Sequence, residues 1–129
     1  MECKVIKSGS DVTEAEIKGD CTIYNAAEIK KFISKYYNKS DSLVLNLSGV
    51  DEIDSSFFQL LLALKKDARE NNKRVSFIAH SIPVLKYIDL YGAAAMFGDR
   101  LVVKKEDREK FDFKYGLKTV KGASGNESR

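Results

Sequence analysis

Tryptophan is absent from the chain, and proline and histidine each occur once. A lone His80, with no cysteine or carboxylate partners at ligand spacing, gives a metal centre or imidazole catalysis almost nothing to build on. Its position suggests instead that it ends a strand. Cysteine is scarce as well: Cys3 and Cys21 lie in separate strand-like segments and read as thiols, not as a disulfide framework. Met1–Lys7 alternates polar and apolar residues and offers no signal-peptide core. No apolar run approaches the roughly 18 residues a membrane span requires, so the chain is expected in the cytosol. Charge of one sign is not in excess either. The 22 Lys and Arg are interspersed with 19 Asp and Glu, leaving +3 and no basic strip for nucleic acid. Neither a Walker-type loop nor a Gly-x-Gly-x-x-Gly turn occurs, so no nucleotide cradle and no cofactor are expected.

What the sequence does contain is enough for one domain with its own core: 129 residues, 43% hydrophobic and 32% charged. Period-two segments at Cys3–Ile6, Ala15–Ile17, Cys21–Tyr24, Leu43–Leu47, Val75–Ala79 and Leu101–Val103 read as strands. Ser8-Gly9-Ser10-Asp11 suggests a hairpin at the front, and Gly19-Asp20 a turn or bulge. Helix and strand then alternate, the pattern of an α/β layer with parallel pairing between Leu43–Leu47 and Val75–Ala79.

The first helix is expected over Ala26–Tyr37, capped by Asn25 with Glu28 completing a capping box, and carrying an apolar stripe of Ile29, Phe32, Ile33 and Tyr36. The second is expected over Ser56–Asn71, with Phe57, Leu60, Leu61, Leu64 and Ala68 on one face. The third follows Ser81, tolerates Pro83 in its first turn and ends at Gly92. These segments place the domain in residues 1–103. Residues 104–115 form a charged and aromatic extension in which Phe111, Phe113 and Tyr115 alternate with polar residues, and 116–129 read as a disordered tail.

The chemistry of interest lies where the Leu43–Leu47 strand gives way to the second helix. There the acidic stretch Asp51-Glu52-Ile53-Asp54 leads into Ser55 and Ser56. The first N–H groups of a helix are unpaired and carry the positive end of its dipole, so they welcome an anion. A phosphate ester on Ser55, or less readily on Ser56, would be stabilised there, while Asp51 and Asp54 would oppose its charge and turn it into a switch. The plainer role for Ser55 is a helix N-cap. Extended helical phase puts Phe58 and Leu62 to one side of the buried stripe, on the side of Ser55. They form either a partner-binding shoulder or a seat for a neighbouring element.

In several of these segments the sequence resembles the STAS family, named for sulfate transporters and anti-sigma factor antagonists. The likeness spans about residues 3–103. It rests on Ile17-x-Gly19 followed by Ile23-Tyr24-Asn25-Ala26, the strand Leu43–Ser48, the loop Asp51-x-Ile53-Asp54-Ser55-Ser56, the Leu-rich helix after it, and Ser81-x-Pro83-x-Leu85. The resemblance implies an α/β STAS fold: a mixed four- to five-stranded sheet with an N-terminal hairpin, covered by helices. It also implies a non-catalytic bacterial regulator without cofactor or metal, which binds an anti-sigma factor or related ATP-binding kinase and is switched by phosphorylation of Ser55. The alternative is a STAS subunit of a lipid-transport ABC complex or a signalling assembly that never carries phosphate. One residue departs from the antagonist pattern: Phe57 stands where those proteins usually have glycine.

Overall fold

A computed structural model describes residues 1–111. Six polar-apolar alternating residues, Glu2–Lys7, form β1, which pairs antiparallel with β2 over Val12–Cys21. This is the expected hairpin. The two segments Ala15–Ile17 and Cys21–Tyr24 are not separate strands, because β2 runs through Gly19 with a shift in its pairing to the next strand. Gly19 takes φ +90 there, a conformation that favours glycine, and a Cβ at this position would lie 3.0 Å from the Cα of Met1. Tyr24 belongs to the helix that follows.

Three parallel strands then alternate with helices: α1 spans Ile23–Lys39, β3 Ser42–Ile53, α2 Ser55–Glu70 and β4 Arg74–Ile78. The sheet order is β1-β2-β3-β4, with β2, β3 and β4 mutually parallel. Right-handed crossovers between sequential parallel strands put both helices on one face. The burial pattern agrees. Ala15, Ile17, Leu43, Leu45, Leu47, Val75 and Phe77 are buried, while the alternating Glu14, Glu16, Val44, Asn46 and Ser76 are half-buried on the other face. From α2, Phe57, Leu61, Leu64 and Ala68 enter this core, so the Leu-rich stripe faces the sheet as its spacing requires.

After β4 the chain forms α3 (Ile82–Leu90), with Pro83 in the first turn, where its missing N–H is harmless. A short α4 (Ala94–Phe97) and a 3₁₀ helix over Lys105–Lys110 complete the described residues. Leu101–Val103 is not a strand. The outer edge of β4 is taken by side chains instead: the Lys65 ammonium donates to Val75 O at 2.6 Å, and Phe77 N–H donates to Asp99 Oδ1 at 3.1 Å. The alternating aromatics beyond Phe111 and the expected tail lie outside the described residues. Among the described residues, no helix is long and apolar enough to cross a membrane.

His80 follows β4, half-buried, and its Nε2 has no hydrogen-bond partner among the described residues. Burial, helped by the Lys65 cation, pushes its imidazole down to about 4. An unfolded imidazole titrates near 6.5, so unfolding takes up a proton between these values. The stability from the neutral ring is therefore complete above about pH 6.5 and declines as the pH falls toward 4, by at most about 1.4 kcal/mol per pH unit. His80→Gln should flatten this part of the stability-pH curve, read from urea midpoints between about pH 7 and about pH 5. An unchanged slope would place the ring in solvent.

Candidate functional site

The end of the sheet at which β2 and β3 terminate is built around Asp54. The acidic stretch is less of a loop than its composition suggests, because β2 and β3 stay paired to their ends: Asp20 stands opposite Glu52 and Cys21 opposite Ile53. Asp51 and Glu52 are thus exposed strand residues, and only Asp54 separates β3 from α2.

Asp54 is the N-cap of α2, its Oδ1 accepting from Phe57 N–H at 3.2 Å. The capping role weighed for Ser55 thus belongs to its neighbour, and Ser55 is the first residue of the helix. Its side chain is exposed and its hydroxyl makes no hydrogen bond among the described residues; Ser56 is half-buried. The carboxylate of Asp54 has a second task. Its Oδ2 accepts from Ile23 N–H at 2.8 Å, at the start of α1. That contact explains why α1 begins three residues before the expected Ala26: a remote carboxylate satisfies its first turn. The local cap residue, Thr22, makes no capping bond with its side chain. Asn25 lies inside the helix, and its amide donates to Asp20 O at 2.7 Å.

The expected partner shoulder needs correction. Phe58 is 1% exposed, so it is not available to a partner. Helical phase does aim it at the flank of α2, but α3 and α4 occupy that flank. Its ring stacks with Tyr91 at 5.1 Å and Phe97 at 5.5 Å between centroids, and Tyr87 stands at 5.6 Å. Leu62 is half-buried and packed against the core. The accessible aromatic surface on this side belongs to Tyr91. Phe57 is fully buried, so its bulk fills the core and does not project toward a partner.

Two exposed residues at this end were read from their alternation as the end of a strand and not as part of the site. Ile23 and Tyr24 open α1, beside Asp54, and are 63% and 91% exposed. Their signal in the sequence is two large apolar residues in a helix's first turn, off the buried stripe. Among the described residues, no group of three or more His, Cys, Asp or Glu is placed to hold a metal ion. Cys3 and Cys21 are free, and burial pushes the Cys21 thiol up to about 12, far from the thiolate needed for a nucleophile.

A family model described as "Mlab, STAS domain" matches residues 7–103. The chain belongs to this STAS-domain family. No curated protein matches it closely enough to count as a relative. Among solved structures, the STAS domain is similar to the anti-sigma factor antagonist SpoIIAA in its unphosphorylated form, with TM-score 0.63 and 16% identity over 84% of this chain and 96% of the other. A Thermotoga maritima protein, named as a candidate anti-sigma factor antagonist, superposes with TM-score 0.65 and 20% identity, over 80% and 90% of the two chains. The phosphorylated form of the Bacillus cell fate determinant SpoIIAA gives 0.60 and 13%, over 84% and 98%. At these identities the likeness establishes the shared fold: an α/β layer with a four-stranded mixed sheet.

Proposed function

We propose that this STAS domain is a non-catalytic anti-sigma factor antagonist, which binds an anti-sigma factor or related ATP-binding kinase and releases it when Ser55 is phosphorylated. The observation that carries the reading is the placement of Ser55. Its hydroxyl is exposed and uncommitted on the first residue of α2, next to the carboxylate that caps the helix. An incoming phosphoryl donor can reach it without unfolding anything. The product would combine the positive helix end with immediate repulsion from Asp54, which suits a reversible mark better than a permanent one. Phosphorylated and unphosphorylated SpoIIAA both appear among the structures that share this fold, which lends the reading support.

A second reading, a STAS subunit that never carries phosphate in a lipid-transport ABC complex or signalling assembly, draws on Phe57 standing where antagonists usually have glycine. Intact-mass measurement of the protein from its native cells separates the two. The antagonist reading expects a fraction about 80 Da heavier, the mass of one phosphoryl group, which is lost in Ser55→Ala. Ser55→Ala should retain the co-purifying regulator and Ser55→Asp should weaken its binding, though less than a phosphate because it adds about one charge and lacks the three acceptor oxygens. No phosphate under any growth condition, with Ser55→Asp binding like wild type, would leave the second reading.

A further inference from the structure

The two segments that meet at Ser55 differ from the rest of the molecule in charge. Residues 19–29 and 49–64 contain no Lys or Arg, although the chain has 22 of them, yet they carry Asp20, Glu28, Asp51, Glu52 and Asp54. The fold sets them side by side through the Asp20–Glu52 and Cys21–Ile53 pairings and the Ile23–Asp54 hydrogen bond. Asp20, Asp51 and Glu52 are exposed and enter no ion pair among the described residues. Compensation of a helix dipole accounts for Asp54 alone, since the other three lie on strands. Next to them stand Ile23 and Tyr24, with Tyr24 the most exposed of the large apolar residues.

A tyrosine held on the first turn of a helix, with its ring in water and only two side-chain torsions to fix, is the kind of residue that anchors a protein interface. We propose that Ile23 and Tyr24 are the apolar anchor by which this end docks on a partner protein, whose contact surface is a hydrophobic notch rimmed by Lys and Arg, and that Asp54 ties this anchor to Ser55. The inference rests on the antagonist reading in taking the Ser55 end as the docking end and, for the link through Asp54, Ser55 as the phosphorylated residue. Charge complementarity identifies the occupant: four carboxylates around an apolar knob repel an acidic surface and steer a basic one.

The link through Asp54 sets the sign of the switch. More negative charge on this face would, by itself, strengthen attraction to a basic partner. A phosphoryl group on Ser55 instead acts at short range, on the adjacent Asp54 carboxylate. Displacing that carboxylate from Ile23 N–H frees the first turn of α1 and unseats Tyr24. Release therefore comes from the loss of the anchor.

The test places a photo-crosslinking benzophenone side chain at position 24, 62 or 91, one at a time, in the full chain expressed in its native cells. Crosslinked peptides are identified by mass spectrometry, and the protein so identified is then purified and titrated. Position 24 should crosslink to a peptide flanked by Lys or Arg. Tyr24→Ala should weaken the purified partner's binding at least about tenfold, as for an interface anchor, with its melting temperature unchanged. Tyr24→Phe should bind like wild type. Affinity should also fall severalfold between about 0.05 and about 0.5 M salt, as screening removes the attraction. Crosslinking confined to positions 62 or 91, crosslinking at none of the three, a target peptide without basic residues, or full affinity in Tyr24→Ala would each overturn the proposal. The antagonist reading fails separately: a partner docked through Tyr24 that is not an ATP-binding regulator, and whose binding ignores Ser55→Asp, would sink that reading and leave the anchor standing.

Discussion

Truncation of Phe58 to alanine should destabilise the domain by about 3–5 kcal/mol, as for a buried aromatic that leaves a cavity behind. The ring is 1% exposed and lies where three aromatics from α3 and α4 converge on α2. Because Tyr87, Tyr91 and Phe97 all lean on it, the space it vacates cannot close by a simple rotamer change of one neighbour. Against a total of about 5–15 kcal/mol for a domain of ordinary stability, this loss would leave a measurable unfolded fraction at moderate temperature. Equilibrium urea unfolding gives the number directly. A loss below about 1 kcal/mol, within the range of partly exposed sites, would mean that α3 and α4 do not cover α2 in solution. A decline in partner binding by this variant would accordingly report unfolding and not a lost contact.

The second large effect is expected at a pair that carries no functional role in either reading. Lys65 and Asp99 form an ion pair at 2.7 Å, with side chains 8% and 6% exposed. The ammonium also donates to Val75 O and lies 4.8 Å from the centre of the Phe77 ring, while Asp99 Oδ1 accepts from Phe77 N–H. Burial raises the Asp99 carboxyl above its ordinary range, outweighing the opposing pull of the Lys65 and Phe77 donors. Asp99→Ala strands the cation in the core edge and exposes an unpaired N–H, so it should cost roughly 3–5 kcal/mol. The double variant Lys65→Met with Asp99→Leu buries no charge and should recover at least about half of that loss. Urea unfolding of the single and double variants completes the cycle; a double variant no more stable than Asp99→Ala would show that the backbone bonds to β4, and not the charges, carry the effect.

These residues also show what sequence reading reached and where it stopped. Alternation in Leu43–Leu47 and Val75–Ala79 and the helix between them sufficed for the parallel pairing, because a buried face must repeat every second residue and a crossover needs a helix. The stripe through Leu61 and Leu64 likewise gave the correct face of α2 to the sheet. Helical phase gave the direction of Phe58 but not what stands in that direction, since α3 and α4 arrive from elsewhere in the chain. The start of α1 was misplaced for a similar reason: its first amide is satisfied by a carboxylate 31 residues away. A lysine in a helix surrounded by other charged residues reads as solvated, and nothing local marks Lys65 as buried. Leu101–Val103, read as a strand from its alternation, forms none, and that same pair occupies the outer edge of β4. At the site, the order Asp54-Ser55 was legible, whereas the assignment of the cap to Asp54 and the exposure of Tyr24 required the tertiary arrangement.

The shared carboxylate of Asp54 has a consequence for how the molecule opens. Two helices that each owned a cap would fray independently, with amides at their entrances exchanging at unrelated rates. Here the Ile23 and Phe57 amides hang on the two oxygens of one side chain. Rotation of that side chain weakens both bonds together, so the entrances to α1 and α2 open as one cooperative unit. In hydrogen exchange the two amides should therefore share a protection factor, although they are 34 positions apart in the sequence.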